Sequence, residues 1–134
     1  MLKKTIKYTN FEGKKLVEDA YFHLFLDDAI ELYDDGMQND FAVLEDADAK
    51  LADKKTALDR LFHKAYGHRV KDEDGNVSFE HYDDDKAWKR FRNSGAYDEF
   101  IAEILFSGNV QDVINAILPP ALRNAANKAS QNDN

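Results

Sequence analysis

The apolar positions change period along the chain, and each change marks a predicted element. In LKKTIKYT the residues Leu2, Lys4, Ile6 and Tyr8 share one side, and after NFEG the stretch KKLVEDAYFHL puts Leu16, Ala20, Phe22 and Leu24 on one face. Alternation on both sides of a glycine-containing turn predicts a β-hairpin. Its second face keeps Val17, Tyr21 and His23, so that face is expected to be partly covered as well. From Asp27 the period lengthens. LDDAIELYDDG offers Leu26, Ile30 and Tyr33 on one stripe, with Asp27 as candidate N-cap and Gly36 as stop, which predicts a short helix.

Between Asp40 and Tyr66, the residues Val43, Leu44, Ala47, Leu51, Leu58, Leu61, Phe62 and Ala65 recur at helical spacing. They predict one long amphipathic helix ending at Gly67, with Lys54 and Lys55 exposing its middle turn. HRVKD and NVSFEHY then form a second hairpin, and DDDKAWKRFRNS a helix that presents Trp88 and Phe91 together, acidic at its start and basic later as the helix dipole prefers. AYDEFIAEILFSG continues as a helix with Tyr97, Phe100, Ile101, Ile104 and Leu105 inward and Gly108 as its end. NVQDVINAIL restarts after Asn109, and Pro119 and Pro120 stop it. The expected fold is α+β: a small antiparallel sheet from two β-hairpins packed against four to five α-helices. One globular domain is expected over 1–120, with 121–134 as a flexible polar tail.

Composition narrows the class. A chain of 134 residues buries about two thirds of its unfolded surface, enough for one domain without staples. With 43% hydrophobic residues, nine Phe, six Tyr and one Trp, the chain has the material for a core, so a wholly disordered state is excluded. The absence of cysteine excludes disulfides, a thiolate zinc site and thiol catalysis, and fits a reducing cytoplasm. No apolar run approaches the roughly 20 residues of a membrane span, and no apolar stretch follows MLKKTIKYTN as a signal peptide would require, so neither a membrane nor export is expected. A net charge of −8 repels phosphate backbones, so no nucleic acid partner is expected. The exception to the acidic trend is Lys3, Lys4, Lys7, Lys14 and Lys15, which suit solvated strand edges that discourage aggregation.

The segment YGHRVKDEDGNVSFEHY invites a metal reading, because Asp72, Asp74 and Asn76 surround Gly75 as ligands do in a calcium loop. With Gly75 in the sixth position of such a loop, Val70 falls first and His81 twelfth, so two obligatory carboxylates are missing. Asp74-Gly75 or Gly75-Asn76 as a tight turn with a soluble tip accounts for the same residues. The four histidines show no HxxxH or HExxH spacing for zinc. The pairs Asp27-Asp28 and Asp34-Asp35 and the run Asp83–Asp85 are neighbours in sequence, face different ways on a helix, and cannot flank one scissile bond. With no phosphate loop and no G-x-S-x-G, no enzyme, cofactor or metal is expected. What stands out is ILFSGNVQDVINAILPPAL, more apolar than one helix face needs. Either it closes the core, or Phe106, Val110, Val113, Ile117 and Leu118 form part of an exposed patch for a helix of another chain.

The order of these segments is similar to a known family. MLKKTIKYTNFEGKKLVEDAYFHL, the YG after a long helix, the charged hairpin RVKDEDGNVSF, SGAYDEFIAEIL and the closing NAILPP together resemble the tail assembly chaperones of long-tailed phages and prophages of Gram-positive bacteria. The likeness runs over about residues 1 to 120. It departs in the shorter, acidic first helix and in Ala116, where the family usually has glycine. The resemblance implies a non-enzymatic protein that binds the long helical tape measure protein during tail assembly and gives way as tail tube subunits polymerise. It further implies action in the host bacterial cytoplasm and absence from the mature virion. A longer frameshifted form that recruits tail tube protein also belongs to what the resemblance implies, and self-association is a separate expectation. The alternative is a structural or regulatory phage interaction module with another partner.

Overall fold

The computed structural model describes residues 1–122; the tail expected over 121–134 lies, from residue 123 on, outside the described residues. The element order is β1 (Leu2–Thr9), β2 (Lys15–Phe22), α1 (Leu26–Asp34), α2 (Met37–Glu45), α3 (Leu51–Ala65), β3 (Tyr66–Lys71), β4 (Val77–His81), α4 (Lys86–Arg92), α5 (Gly95–Ser107) and α6 (Val110–Ile117). A further helical turn begins at Pro120, so the described residues hold seven helical segments where four to five were expected.

Both hairpins form, and they join into one antiparallel sheet of order β1-β2-β3-β4. The join between them is narrow: β2 and β3 pair only through Tyr21↔Gly67 and Phe22↔Tyr66. The two turns share one construction. Asn10 accepts the backbone N–H groups of Glu12 (3.0 Å) and Lys14 (2.8 Å), and Asp72 accepts those of Asp74 (2.9 Å) and Asn76 (2.8 Å). A glycine in the left-handed region closes each one, Gly13 at φ 84° and Gly75 at φ 84°. The acidic run DEDGN is thus a turn whose first carboxylate is committed to its own backbone.

The long helix expected from Asp40 to Tyr66 is two helices. Asp46 accepts the N–H of Asp48 at 2.9 Å and reverses the chain, so that α2 lies against α3. A continuous helix would hold residues 20 apart about 30 Å from one another. Here the Asp40 carboxylate meets the Arg60 guanidinium, Nε to Oδ2 at 3.1 Å. Helix α3 then runs straight into β3 at Tyr66, one residue before Gly67.

One aromatic cluster organises the core between the sheet and α3, α4 and α5. Phe22 is fully buried, with Phe100 stacked at 5.0 Å and Phe62, Tyr66 and Phe91 at 5.1 to 6.0 Å. Trp88 and Phe91 are buried together on α4 as expected. Of the residues expected inward on α5, Tyr97, Phe100, Ile101 and Ile104 are buried and Leu105 packs partly against the core.

Tyr97 donates its hydroxyl to Asp59, whose carboxylate also holds Lys55 at 3.0 Å and faces Arg92 at 3.7 Å. Tyr97→Phe should cost about 1 to 2 kcal/mol in urea unfolding, because Asp59 keeps its cations when the hydroxyl is removed. Burial raises the Tyr97 phenol far above its ordinary value, and the Asp59 carboxylate adds to this; burial does the same to Tyr66. Both rings stay neutral in the folded chain at pH values where unfolded tyrosines ionise. Their contribution is therefore whole below about pH 10 and is lost as pH rises beyond it. Absorbance at 295 nm should show these two tyrosines ionising only together with alkaline unfolding.

Candidate partner-binding surface

A cleft of about 480 Å³ opens between α1, α3 and the start of α4, over Leu32, Tyr66 and Trp88. Much of its rim charge is paired, Arg60 with Asp40, Lys64 with Glu31, His63 with Asp85 at 3.1 Å and His81 with Asp28 at 2.7 Å, while Asp35 and Asp84 line it with no ion pair among the described residues. Groups paired in this way hold helices together. Among the described residues, no group of three or more His, Asp or Glu is placed to hold a metal ion, and no helix is long and apolar enough to cross a membrane. The strand lysines are partly tied as well, Lys3 to Asp19 at 3.9 Å and Lys4 to Glu103 at 3.4 Å.

The five residues named at the C-terminal end separate in space. Phe106, at the end of α5, is 73% exposed, and Val110 is half-buried at the start of α6. Val113, Ile117 and Leu118 are buried. Helix α6 turns Val113, Ile114 and Ile117 inward and leaves Gln111, Asp112 and Asn115 in solvent. The Ile117 carbonyl accepts the Leu24 N–H at 2.9 Å, which fastens α6 to the end of β2. The apolar excess of this segment mostly closes the core, and only Phe106 with the edge of Val110 reaches the surface.

Helix α1 shows the opposite outcome. Leu26, Ile30 and Tyr33, the stripe read from the sequence, are 50%, 50% and 56% exposed, while Ala29 is buried and Leu32 packs partly against the core. The expected N-cap also shifts. Phe25 occupies that place, and Asp28, not Asp27, bonds back to its N–H at 2.9 Å. Phe25 is half out of the fold; its inner side packs on His23, Phe79 and His81 with centroids 5.0 to 6.1 Å away. This cluster covers the second face of the sheet at the His23 end, whereas Val17 stays exposed. The apolar arc of α1 is wider than the one row the core accepts, and the smallest member, Ala29, makes the close approach. That alanine amid larger apolar residues is the sequence signal that marks the covered row.

On a chain of net charge −8, the surface therefore offers an apolar row on α1 and Phe106 at the end of α5, besides scattered exposed residues such as Phe11 in the first turn and Val17 on β2. No curated protein and no solved structure matches the chain. A family model described as phage tail assembly chaperone matches residues 1–134, the whole length. By that match the chain belongs to the phage tail assembly chaperone family.

Proposed function

We propose that this chain binds the tape measure protein of its phage, keeps that long helical partner soluble while the tail is built, and is displaced as tube subunits polymerise around it. It does so without catalysis, in the host bacterial cytoplasm, and leaves before the virion is complete. The observation that carries this reading is the exposure of large apolar side chains on helix surfaces of an acidic protein. An apolar row can cover the stripe of a partner helix, and net charge keeps the complex dispersed. Binding of this size is weak at each contact, so many copies along one partner remain displaceable. Phe106 and the edge of Val110 add a second contact, with Val113, Ile117 and Leu118 holding α6 in place beneath them. Self-association and recruitment of tail tube protein by a longer form extend the same proposal.

Co-expression tests it. The tape measure protein should be found mainly in the pellet when made alone and mainly in the soluble fraction, co-purifying with this chain, when the two are made together. A tape measure protein that stays insoluble in the presence of a folded chaperone would overturn the proposal.

A further inference from the structure

We infer that the exposed row of α1 is the docking site, and that its occupant is an amphipathic helix whose apolar stripe is bordered by Lys or Arg; this rests on the tape measure reading above. Leu26, Ile30 and Tyr33 follow one another at i, i+4 and i+7, so they present one side of the helix, and Phe25 extends it at the N-terminal end. Asp27 and Asp34 stand three residues before and four residues after Ile30 and border that side. Helix α1 with its C-cap carries Asp27, Asp28, Glu31, Asp34 and Asp35 and no Lys or Arg. Of these five, Glu31 is paired with Lys64 and Asp28 with His81, and the other three make no ion pair among the described residues.

Asp34 and Asp35 sit where the helix dipole disfavours them, since the C-terminal end of a helix carries partial negative charge and favours cations. Asp35 is drawn to Lys64, whereas Asp34 makes no ion pair among the described residues, and a local rule broken there without internal compensation points to an external one. A cationic flank on a bound helix would lie against Asp27 and Asp34 while its apolar stripe covers Leu26, Ile30 and Tyr33.

The same features argue against a second copy of this chain. A two-fold contact through this patch would set Asp27 and Asp34 of one α1 against those of the other, or against an equally acidic helix. The exposed parts of Phe25, Leu26, Ile30 and Tyr33 amount to roughly 400 Å², taking about 200 Å² for each residue fully exposed. That is about half of the roughly 800 Å² per partner of a stable pair. It suits a contact made and released during assembly.

The test uses the full chain and the tape measure protein purified as their complex, in which each variant of this chain competes with the wild type for the bound partner. Leu26→Gln/Ile30→Gln removes the row, and Asp27→Lys/Asp34→Lys reverses the flank; all four sites are exposed, so both variants should keep the thermal midpoint within a few degrees. Each should bind at least tenfold more weakly than the wild type, and raising NaCl from 50 to 500 mM should weaken the wild type but not the charge-reversed variant. A photoreactive benzoylphenylalanine in place of Tyr33 should crosslink to tape measure segments that carry Lys or Arg beside their apolar stripe. Folded variants that bind as tightly as the wild type, tighter binding by Asp27→Lys/Asp34→Lys, or crosslinks only between copies of this chain would each overturn the inference while leaving the tape measure reading intact. A wild type that does not bind the tape measure protein would overturn both.

Discussion

Ile117→Asp should give a chain with no cooperative thermal transition at neutral pH. Ile117 is fully buried between α6 and the end of β2. The substitution removes a well-packed aliphatic side chain, worth about 2 to 5 kcal/mol at such a site, and adds a carboxylate with no cation prepared for it. The sum, about 5 kcal/mol or more, is on the scale of the whole stability of a domain this size. Phe106→Asp makes a comparable chemical change at a 73% exposed position and should shift the midpoint by only a few degrees. Circular dichroism melts of the two variants decide the matter: a native-like melt of Ile117→Asp would show that α6 does not close the core. The contrast bears on function, because a loss of tape measure binding in Ile117 or Val113 variants would report misfolding, whereas a loss in Phe106→Asp would report contact.

Gly67→Ala should lower the thermal midpoint by roughly 10 °C or more, in keeping with about 3 kcal/mol of overpacking. A Cβ at Gly67 would stand 2.3 Å from the Glu80 carbonyl oxygen and 2.4 Å from Cζ of Phe79. The first obstacle is backbone of the neighbouring strand, and the second is a buried ring wedged against Phe25, His23 and His81. Neither can yield without moving β4. Gly67 also pairs with both Tyr21 and His81, and it supplies one of the two residue pairs that join the hairpins. The strain should therefore appear as lost amide protection in β3 and β4, measurable by hydrogen exchange, before the Phe22 cluster opens. Since Phe79 and His81 support Phe25 and Asp28, the start of α1 should loosen with them, and tape measure binding should fall. A melt within 2 °C of the wild type would mean that the sheet absorbs the methyl group.

The hairpins were legible because a strand pair is a local object: alternation in LKKTIKYT and KKLVEDAYF, with Asn10 and Gly13 between them, specifies turn and register within about twenty residues. The split between α2 and α3 was not legible. The segment between them contains no glycine or proline, and its alanines, Lys50 and the leucine that follows continue a helical pattern. What breaks it is the Asp46 turn together with the return of α2 onto α3, where Asp40 finds Arg60. The candidate surface was misplaced for a related reason. Both α1 and α6 carry more apolar residues than one contact row, and their patterns alone favour α6 as the exposed one. In the fold, α6 is packed at the end of β2, so its excess is consumed, while α1 lies at an edge where only Ala29 and Leu32 find neighbours.

By itself the sequence determined the strands, the two glycine-containing turns, the helix ends at Gly36, Gly108 and Pro119, and the family that the match bears out. Those features depend on residues close together in the chain, where backbone preference and side-chain period act directly. Only the tertiary structure decided that the two hairpins join through Tyr21↔Gly67 and Phe22↔Tyr66, that α2 folds back, that Val113, Ile117 and Leu118 are core, and that Leu26, Ile30 and Tyr33 are surface. Period reveals which side of an element is apolar. Which part of that side loses its water depends on neighbours brought from elsewhere in the chain, and a partner can bind only at the part that stays wet.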